Sequence, residues 1–403
     1  MKKLWNKDFI LLLQASAVST IGDLMYSVAI GYWVYEQTGS NSLLGIMSSI
    51  SMFVVMFLSP FSGSVVDKLN RKWVLVIGDI CQGLIMIGIG VLAYLGKLNV
   101  PGVLIAAFLC AFGGVFYSPA ANTVLIDIIP HDDMVRGQSL FSGVNSTINM
   151  VGTAFSGVMV AFFGVPLIII INGLSNIYSA ISELLISVPK AAQQGESVSI
   201  KSILNDSKSA IKTVMSEPCL KVFVPCAILL NFLGAGPFTL ALPFVLEKGF
   251  EVEQYGILMS CMTVGSLVSA ILLGTIKFSP KARYRIMSIG FISAIVFTVL
   301  AYLSTDFLVM LAFGFLGSFM NAAGNAIFNA SFMLALPEEN RGAILGFLSS
   351  ATVGGSALSA VAYGIVGDMF PLYIVFTFGS ILNIFPMIYL CSHPKIKAFI
   401  LSH

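Results

Sequence analysis

Residues Phe9–Tyr35 read FILLLQASAVSTIGDLMYSVAIGYWVY, an apolar run long enough to cross a bilayer as a helix, with one charged side chain near its middle, Asp23. A carboxyl group at that depth is costly unless it faces protein or water, so Asp23 is the first candidate for a functional residue. Three- and four-residue spacing puts the polar residues of this run on one helical face: Ser16, Ser19, Thr20, Asp23 and Ser27. The alternative is a polar seam that joins two helices by hydrogen bonds.

The composition of the whole chain is that of an integral membrane protein. Of its 403 residues, 57% are hydrophobic and 10% are charged, and the mean hydropathy is +0.94; soluble domains have roughly 25% charged residues. The net charge of +2 gives no support for a nucleic-acid partner. The six cysteines form no CxxC pair and the three histidines lie outside the apolar runs, so we expect no metal site and no cofactor. Nucleophile-elbow, zinc-protease and phosphate-loop motifs are missing, so we do not expect an enzyme.

Hydrophobic runs separated by short polar turns predict an all-α membrane protein with twelve transmembrane helices. The runs cover 9–36, 43–66, 73–96, 101–129, 138–163, 166–188, 219–246, 254–276, 284–303, 307–335, 342–367 and 371–391. An even number of spans places both termini on one side, and 19 of the 21 Lys and Arg residues fall on that side. We therefore expect a multi-pass protein of the cytoplasmic membrane with both termini in the cytoplasm.

The longest polar stretch, between Pro189 and Pro218, divides the spans into six and six. This gives three predicted parts: an N-terminal six-helix bundle at 1–189, a cytoplasmic linker with an amphipathic helix at 190–217, and a C-terminal six-helix bundle at 218–403. The sequence IPHDDMVRG, which follows the fourth span, is echoed by LPEENRG after the tenth. The echo indicates that the two halves are structural repeats.

The turn after the second span, Gly63–Lys72, reads GSVVDKLNRK. It resembles the signature Gly-x-x-x-Asp-Arg/Lys-x-Gly/Asn-Arg-Arg/Lys of the major facilitator superfamily. The resemblance implies the major facilitator fold, with two six-helix bundles that rock around a midplane cavity, and a cytoplasmic latch in which Asp67 and Arg71 couple to Asp127. The residues expected to act in gating are Gly63, Asp67, Arg71, Asp127, Arg136 and Arg341. The second-half counterpart, 277–285, lacks the acid, so the latch is expected to be asymmetric.

Two further stretches, IGDLMYSVAIGYWVYEQTGS at 21–40 and FYSPAA at 116–121, look like the macrolide-efflux and siderophore-exporter branch of the drug/proton antiporters. This resemblance implies a bacterial multidrug efflux protein that confers antibiotic resistance. The chain departs from the pattern at Gln82, where many members have arginine, and at 152–157, which reads GTAFSG where the antiporter motif prefers Gly-Pro.

Three acidic residues lie at depth in the predicted spans, Asp23, Asp79 and Glu183, and no Lys or Arg does. Carboxylates without a basic partner disfavour anionic substrates and favour cationic or neutral amphiphiles. We therefore assign proton or cation coupling to these three residues, with a structural role as the alternative for Asp79 and Glu183.

Side-chain amides form a second polar pattern, because Asn321 and Asn325 are four residues apart on the tenth span and share a face. The resemblance implies that the first, fourth, seventh and tenth helices line the central cavity. The substrate candidates are therefore Asn122, Asn231, Phe238, Asn321 and Asn325. The alternatives are interhelical hydrogen bonds for the amides and lipid contact for the phenylalanine.

The sequence thus favours a secondary active transporter that exports amphiphilic, neutral or cationic small molecules in exchange for protons, by alternating access. Its expected partners are the substrate, protons and membrane lipids, and we expect a monomer. A lipid or lysolipid flippase and a non-transporting membrane receptor or scaffold are the alternatives.

Overall fold

The computed structural model describes residues 4–130, 133–187, 211–217, 219–275, 278–335, 341–394 and 396–397, and within these residues the regular secondary structure is helical. The long helices are α1 (Lys7–Thr38), α2 (Asn41–Lys68), α3 (Arg71–Tyr94), α4 (Val100–Ile128), α5 (Met134–Phe163), α6 (Val165–Leu184), α7 (Leu220–Thr239), α9 (Val252–Thr275), α10 (Pro280–Leu303), α11 (Phe307–Ala335), α12 (Arg341–Met369) and α13 (Leu372–Ser392), with the short α8 (Ala241–Glu247) after α7.

Local sequence signals explain where several helices begin. The side chain of Asn6 accepts a hydrogen bond from the Phe9 backbone N–H at 2.8 Å, which caps the first turn of α1. Asn99 caps α4 in the same way through Gly102, also at 2.8 Å, and Ser279 caps α10. These caps satisfy backbone donors that would otherwise be left without partners at the helix ends.

The prediction of an all-α membrane protein is confirmed. Among the described residues, eleven helices are long and apolar enough to cross a membrane. The 30-residue helix α5, which carries Asn145 and Asn149, is not among them. The expected seventh span at 219–246 is divided into α7 and α8 at Leu240, three residues after Pro237.

The predicted linker lies mostly outside the described residues. Residues 211–216 are helical. Within them Val214 is buried in an apolar cluster together with Phe223, whereas Ile211 and Met215 are exposed.

The described residues form two compact units. Unit 1 comprises Met1–Gly39 and Ile50–Ser199, and unit 2 comprises Ser40–Ser49 and Ile200–His403. In unit 1, α6 packs against both α1 and α3, α5 packs on α1, and α4 packs on α3. In unit 2, α11 packs against α9 and α10, while α12 and α13 pack on α7.

The beginning of α2 belongs to unit 2 because the carboxylate of Asp368 on α12 caps it. The backbone N–H of Asn41 donates to Asp368 Oδ1 at 2.6 Å, and the N–H of Ser42 and the hydroxyl of Ser40 donate to Oδ2 at 3.1 and 3.0 Å. An anion at a helix N-terminus is favourable because the backbone donors there point outward. The Ser49 hydroxyl extends the contact with a 2.6 Å hydrogen bond to the Ala357 carbonyl.

Candidate functional site

Helix α6 brings the acidic residues of unit 1 together, because it lies between α1 and α3. Its contact with α1 is very close at Gly22, where an added Cβ would lie 2.2 Å from Ser175 Oγ. Its contact with α3 is equally close at Gly83, where an added Cβ would lie 2.8 Å from the Gly173 carbonyl oxygen. At Gly22 the nearest atoms belong to the Ser175 and Asn172 side chains of α6, whereas at Gly83 the backbones of α3 and α6 themselves come close.

The pairing of α3 with α6 is antiparallel. At one end the ammonium of Lys72, in the first turn of α3, donates to the carbonyls of Leu184 and Ile186 at 2.7 and 2.8 Å. Further along, Gly83 faces Gly173. This register places Asp79 of α3 beside Ser179 of α6.

Asp23 lies on α1 and is half-buried. The side-chain amide of Gln82 donates to Asp23 Oδ1 at 3.1 Å. The amides of Asn172 and Asn176 approach the same carboxyl group. Asp23 is thus surrounded by neutral amides, which can donate hydrogen bonds to an ionised carboxylate without neutralising its charge.

Asp79 and Glu183 form a second and deeper group, since their relative exposures are 3% and 0%. The hydroxyl of Tyr117, on α4, donates to Glu183 Oε1 at 3.1 Å. Asp79 Oδ2 and Glu183 Oε2 have no hydrogen-bond partner. Ser179 Oγ makes no hydrogen bond of good geometry, although it lies close to both Asp79 and Tyr117.

Buried amides and hydroxyls extend the polar core of unit 1. Asn176 Nδ2 donates to Asn172 Oδ1 at 3.0 Å, and both residues are buried on α6. Ser16 on α1 donates to Asn145 Oδ1 on α5, also at 3.0 Å. The polar face predicted for α1 is therefore divided between Asn145, through Ser16, and α6, near Asp23.

The expected gating residues are partly described. Arg71 and Asp127 form an ion pair at 2.8 Å between the beginning of α3 and the end of α4. Gly63 lies on α2, and Arg136 is exposed on α5. The side chains of Asp67 and Arg341 lie outside the described residues, so the full latch stays a prediction.

The expected substrate residues are distributed over both units. In unit 1, Asn122 is exposed on α4. In unit 2, Asn325 Nδ2 donates to Asn321 Oδ1 at 2.9 Å, while Asn231 on α7 donates to the carbonyl of Ala227 on the same helix at 2.8 Å. Phe238 is 71% exposed.

Sequence reasoning did not identify the roles of Gln82 and Tyr117. Gln82 was noted only as a departure from an arginine, whereas the structure shows it as the amide donor to Asp23. Its position three residues after Asp79 on α3 was the available signal, because such residues share a helical face. Tyr117 carried no comparable signal, since its contact with Glu183 depends on how α4 and α6 pack.

Comparison with known proteins identifies the family. The chain matches the model of the Major Facilitator Superfamily over residues 12–276 and 224–400, and it therefore belongs to that superfamily. The structure is similar to a crystal structure of the nucleoside transporter NupG, with a TM-score of 0.73 and 15% sequence identity over 94% of this chain and 99% of that chain. The chain thus has the fold of the superfamily.

Two bacterial efflux proteins are similar in sequence. Macrolide efflux protein A of Streptococcus pyogenes is 23% identical over 194 residues, 48% of each chain. The multidrug efflux pump Tap of Mycobacterium bovis is 27% identical over 160 residues, 38% of each chain. The matched regions span about half or less of these relatives. Together with the fold, the comparisons show a multi-pass membrane protein of a transporter family.

Proposed function

We propose that this superfamily member exports amphiphilic, neutral or cationic small molecules across the bacterial cytoplasmic membrane in exchange for protons, by alternating access. The observation that carries the proposal is the polar core of unit 1, where Asp23, Asp79 and Glu183 gather along α6. Beyond the first turns of the helices, the charged groups within the described spans of this core are all acidic.

The charge balance of this core supports proton coupling. Lys72 and Arg71, the basic residues nearest to it on α3, lie in the first turn of the helix, and they contact backbone carbonyls and Asp127 respectively. A carboxylate inside a membrane protein needs a counter-charge. With no basic side chain in contact, that charge comes from a proton or from a cationic substrate, and competition between the two for Asp23 would couple their movements.

The choice of substrate class rests on two observations. At depth, the described part of the spans presents carboxyl and amide groups but no cation that would bind an anionic substrate. The names of the two efflux relatives point to macrolides and to structurally varied drugs. We propose that the amides of Asn122, Asn231, Asn321 and Asn325, together with Phe238, supply hydrogen bonds and apolar contact for such molecules.

Gating follows from the same proposal. The ion pair between Arg71 and Asp127 joins the ends of two helices that would separate or rotate when the transporter changes state. We place this end of unit 1, and both termini, on the cytoplasmic side, as the distribution of basic residues predicts.

The test is transport by the purified protein in liposomes. The probes are ethidium, as a permanent cation with an apolar body, and erythromycin, as a macrolide. An imposed pH gradient should drive accumulation of at least one probe, and a protonophore should abolish it. The matched control is Glu253→Gln, which removes an exposed carboxyl group in the first turn of α9 and should transport normally. Probe movement that does not depend on the pH gradient would overturn the proposal of proton coupling.

A further inference from the structure

Asp79 and Glu183 are the two most deeply buried carboxyl groups described in unit 1, and they lie on the two helices that form the α3 and α6 contact. Ser179, one turn before Glu183 on α6, lies beside Asp79, and the Tyr117 hydroxyl donates to Glu183 Oε1 at 3.1 Å. Each carboxyl has one oxygen without a hydrogen-bond partner. Unpartnered oxygens in such a dry place are costly for an ionised carboxylate, whereas a protonated carboxyl group carries no charge and is buried at lower cost.

The described groups that face this pair from the neighbouring helices include no cation. From α4 come the hydroxyl of Tyr117 and, nearer to Asp23, the thiol of Cys110. From α1 comes Asp23, while the phenol of Tyr26 lies near Asp23 and Cys110. On α3 the nearest ammonium, that of Lys72, is bound to two carbonyls at the end of α6. Within the part of the chain that the structure describes, the other titratable groups around the pair are therefore acids or neutral donors.

We propose that Asp79 and Glu183 hold one proton between them at neutral pH, and that this pair is a protonation site separate from Asp23. Two carboxyl groups that interact closely in a medium of low polarity do not both ionise, and their protons are bound and released as a property of the pair. The Tyr117 hydroxyl, which donates to Glu183, stabilises the negative charge on the member that is ionised.

The arrangement also connects the pair with Asp23. Gln82, the donor to Asp23, lies three residues from Asp79 on the same face of α3. Asn176, which approaches Asp23, lies three residues from Ser179 on α6. A continuous row of polar side chains thus extends through unit 1 from the half-buried Asp23 to the buried Glu183. When a proton moves along it, one O–H bond of the pair breaks and one forms on a carboxylate or a water molecule, and no other bond changes.

This inference deepens the proposed function by locating a proton, and it is tested without any transport. The purified protein in lipid is examined by infrared spectroscopy at pH 7, in water and in deuterium oxide. A protonated carboxyl group gives a C=O band that shifts on deuteration. The wild type, Asp23→Asn and Glu253→Gln should all show it. The double variant Asp79→Asn/Glu183→Gln should lose intensity equal to one acid group per protein.

Tyr117→Phe provides a second measurement that keeps both carboxyl groups and does not depend on the double variant being folded. Its band should remain but change in frequency, because a hydrogen bond to the pair is lost. An unchanged band in the double variant, loss of the band in Asp23→Asn alone, a loss equal to two acid groups, or an unchanged frequency in Tyr117→Phe would each overturn the proposal. A normal band without pH-driven flux would instead overturn the proposed function and leave this site in place.

Discussion

The third and sixth long helices of each unit form corresponding pairs, but the two pairs bury different functional groups. In unit 1, the pair α3 and α6 encloses Asp79 and Glu183. In unit 2, α10 and α13 are joined by the Tyr284 hydroxyl, which donates to the Cys391 carbonyl at 2.6 Å. Glu183 and Cys391 are each the second-last residue of their helix, and both are buried. The same helix pair therefore holds a carboxyl group in one unit and a thiol in the other.

The rest of the two cores follows this division. The core of unit 2 contains a cluster of aromatic rings, in which Phe223 contacts Phe328 and Phe332 at centroid distances of 5.2 and 5.9 Å. A second cluster joins Phe244, Tyr302 and Phe376. Such rings contribute packing and no proton exchange near neutral pH. Repeated helices can thus supply titratable groups in one unit and apolar packing in the other, and each prediction below tests that division.

The largest effect is expected from Asp23→Asn, which removes the titratable group of α1 but keeps an oxygen that can accept the hydrogen bond from Gln82. Accumulation driven by a pH gradient should fall to the level of protein-free liposomes, because the site can no longer gain and lose a proton. Exchange of labelled for unlabelled substrate without a gradient should continue. Gradient-driven accumulation at the wild-type rate would remove Asp23 from the coupling mechanism.

The next effect concerns the close packing that brings the carboxyl groups together. Gly83→Ala should lower the free energy of unfolding by about 1–3 kcal/mol, because the new methyl group meets the Gly173 carbonyl and overpacks the contact. Gly88→Ala on the same helix is the matched control, since an added Cβ there meets nothing within 4 Å. It should be neutral or stabilising by up to about 1 kcal/mol.

Unfolding of the two alanine variants is followed by titration with denaturing detergent. Equal stabilities would mean that α3 and α6 can separate without cost. The acidic pair would then not depend on this contact, and the structural reason for the difference between the two units would be lost.

A smaller effect is expected for an amide in unit 2. Asn325→Ala removes the donor to Asn321 and one amide from an exposed polar face of α11. If the Asn325 amide bonds the probe, its loss removes about 1 kcal/mol of binding free energy and should raise the apparent KM for the transported probe about fivefold. The dependence on the pH gradient should stay unchanged, because unit 2 is expected to bind and not to couple. Loss of gradient dependence in this variant would contradict the division between the units.

The sequence was sufficient to predict the fold and the position of Asp23 within a long apolar helix, because a long apolar run and an isolated acid within it are local signals. The sequence could not predict that Asp79 and Glu183 lie in the same part of the core. Their placement depends on the register between α3 and α6, which is set by backbone packing at Gly83. The capping of α2 by Asp368 is likewise a contact between residues far apart in the chain, and no local sequence pattern predicts it.

The smallest effect comes from deleting one hydroxyl in each unit. Tyr284→Phe removes the hydrogen bond to the Cys391 carbonyl and should cost about 1 kcal/mol of stability or less, with the pH profile of transport unchanged. Tyr117→Phe should have a similar cost in stability but should move the pH midpoint of transport towards alkaline pH, because a donor to the ionised carboxyl pair is lost. The measurement is initial flux against pH, with thermal unfolding alongside. Equal pH midpoints in the two variants would mean that the buried acids of unit 1 affect the pH dependence of transport no more than the aromatic core of unit 2 does.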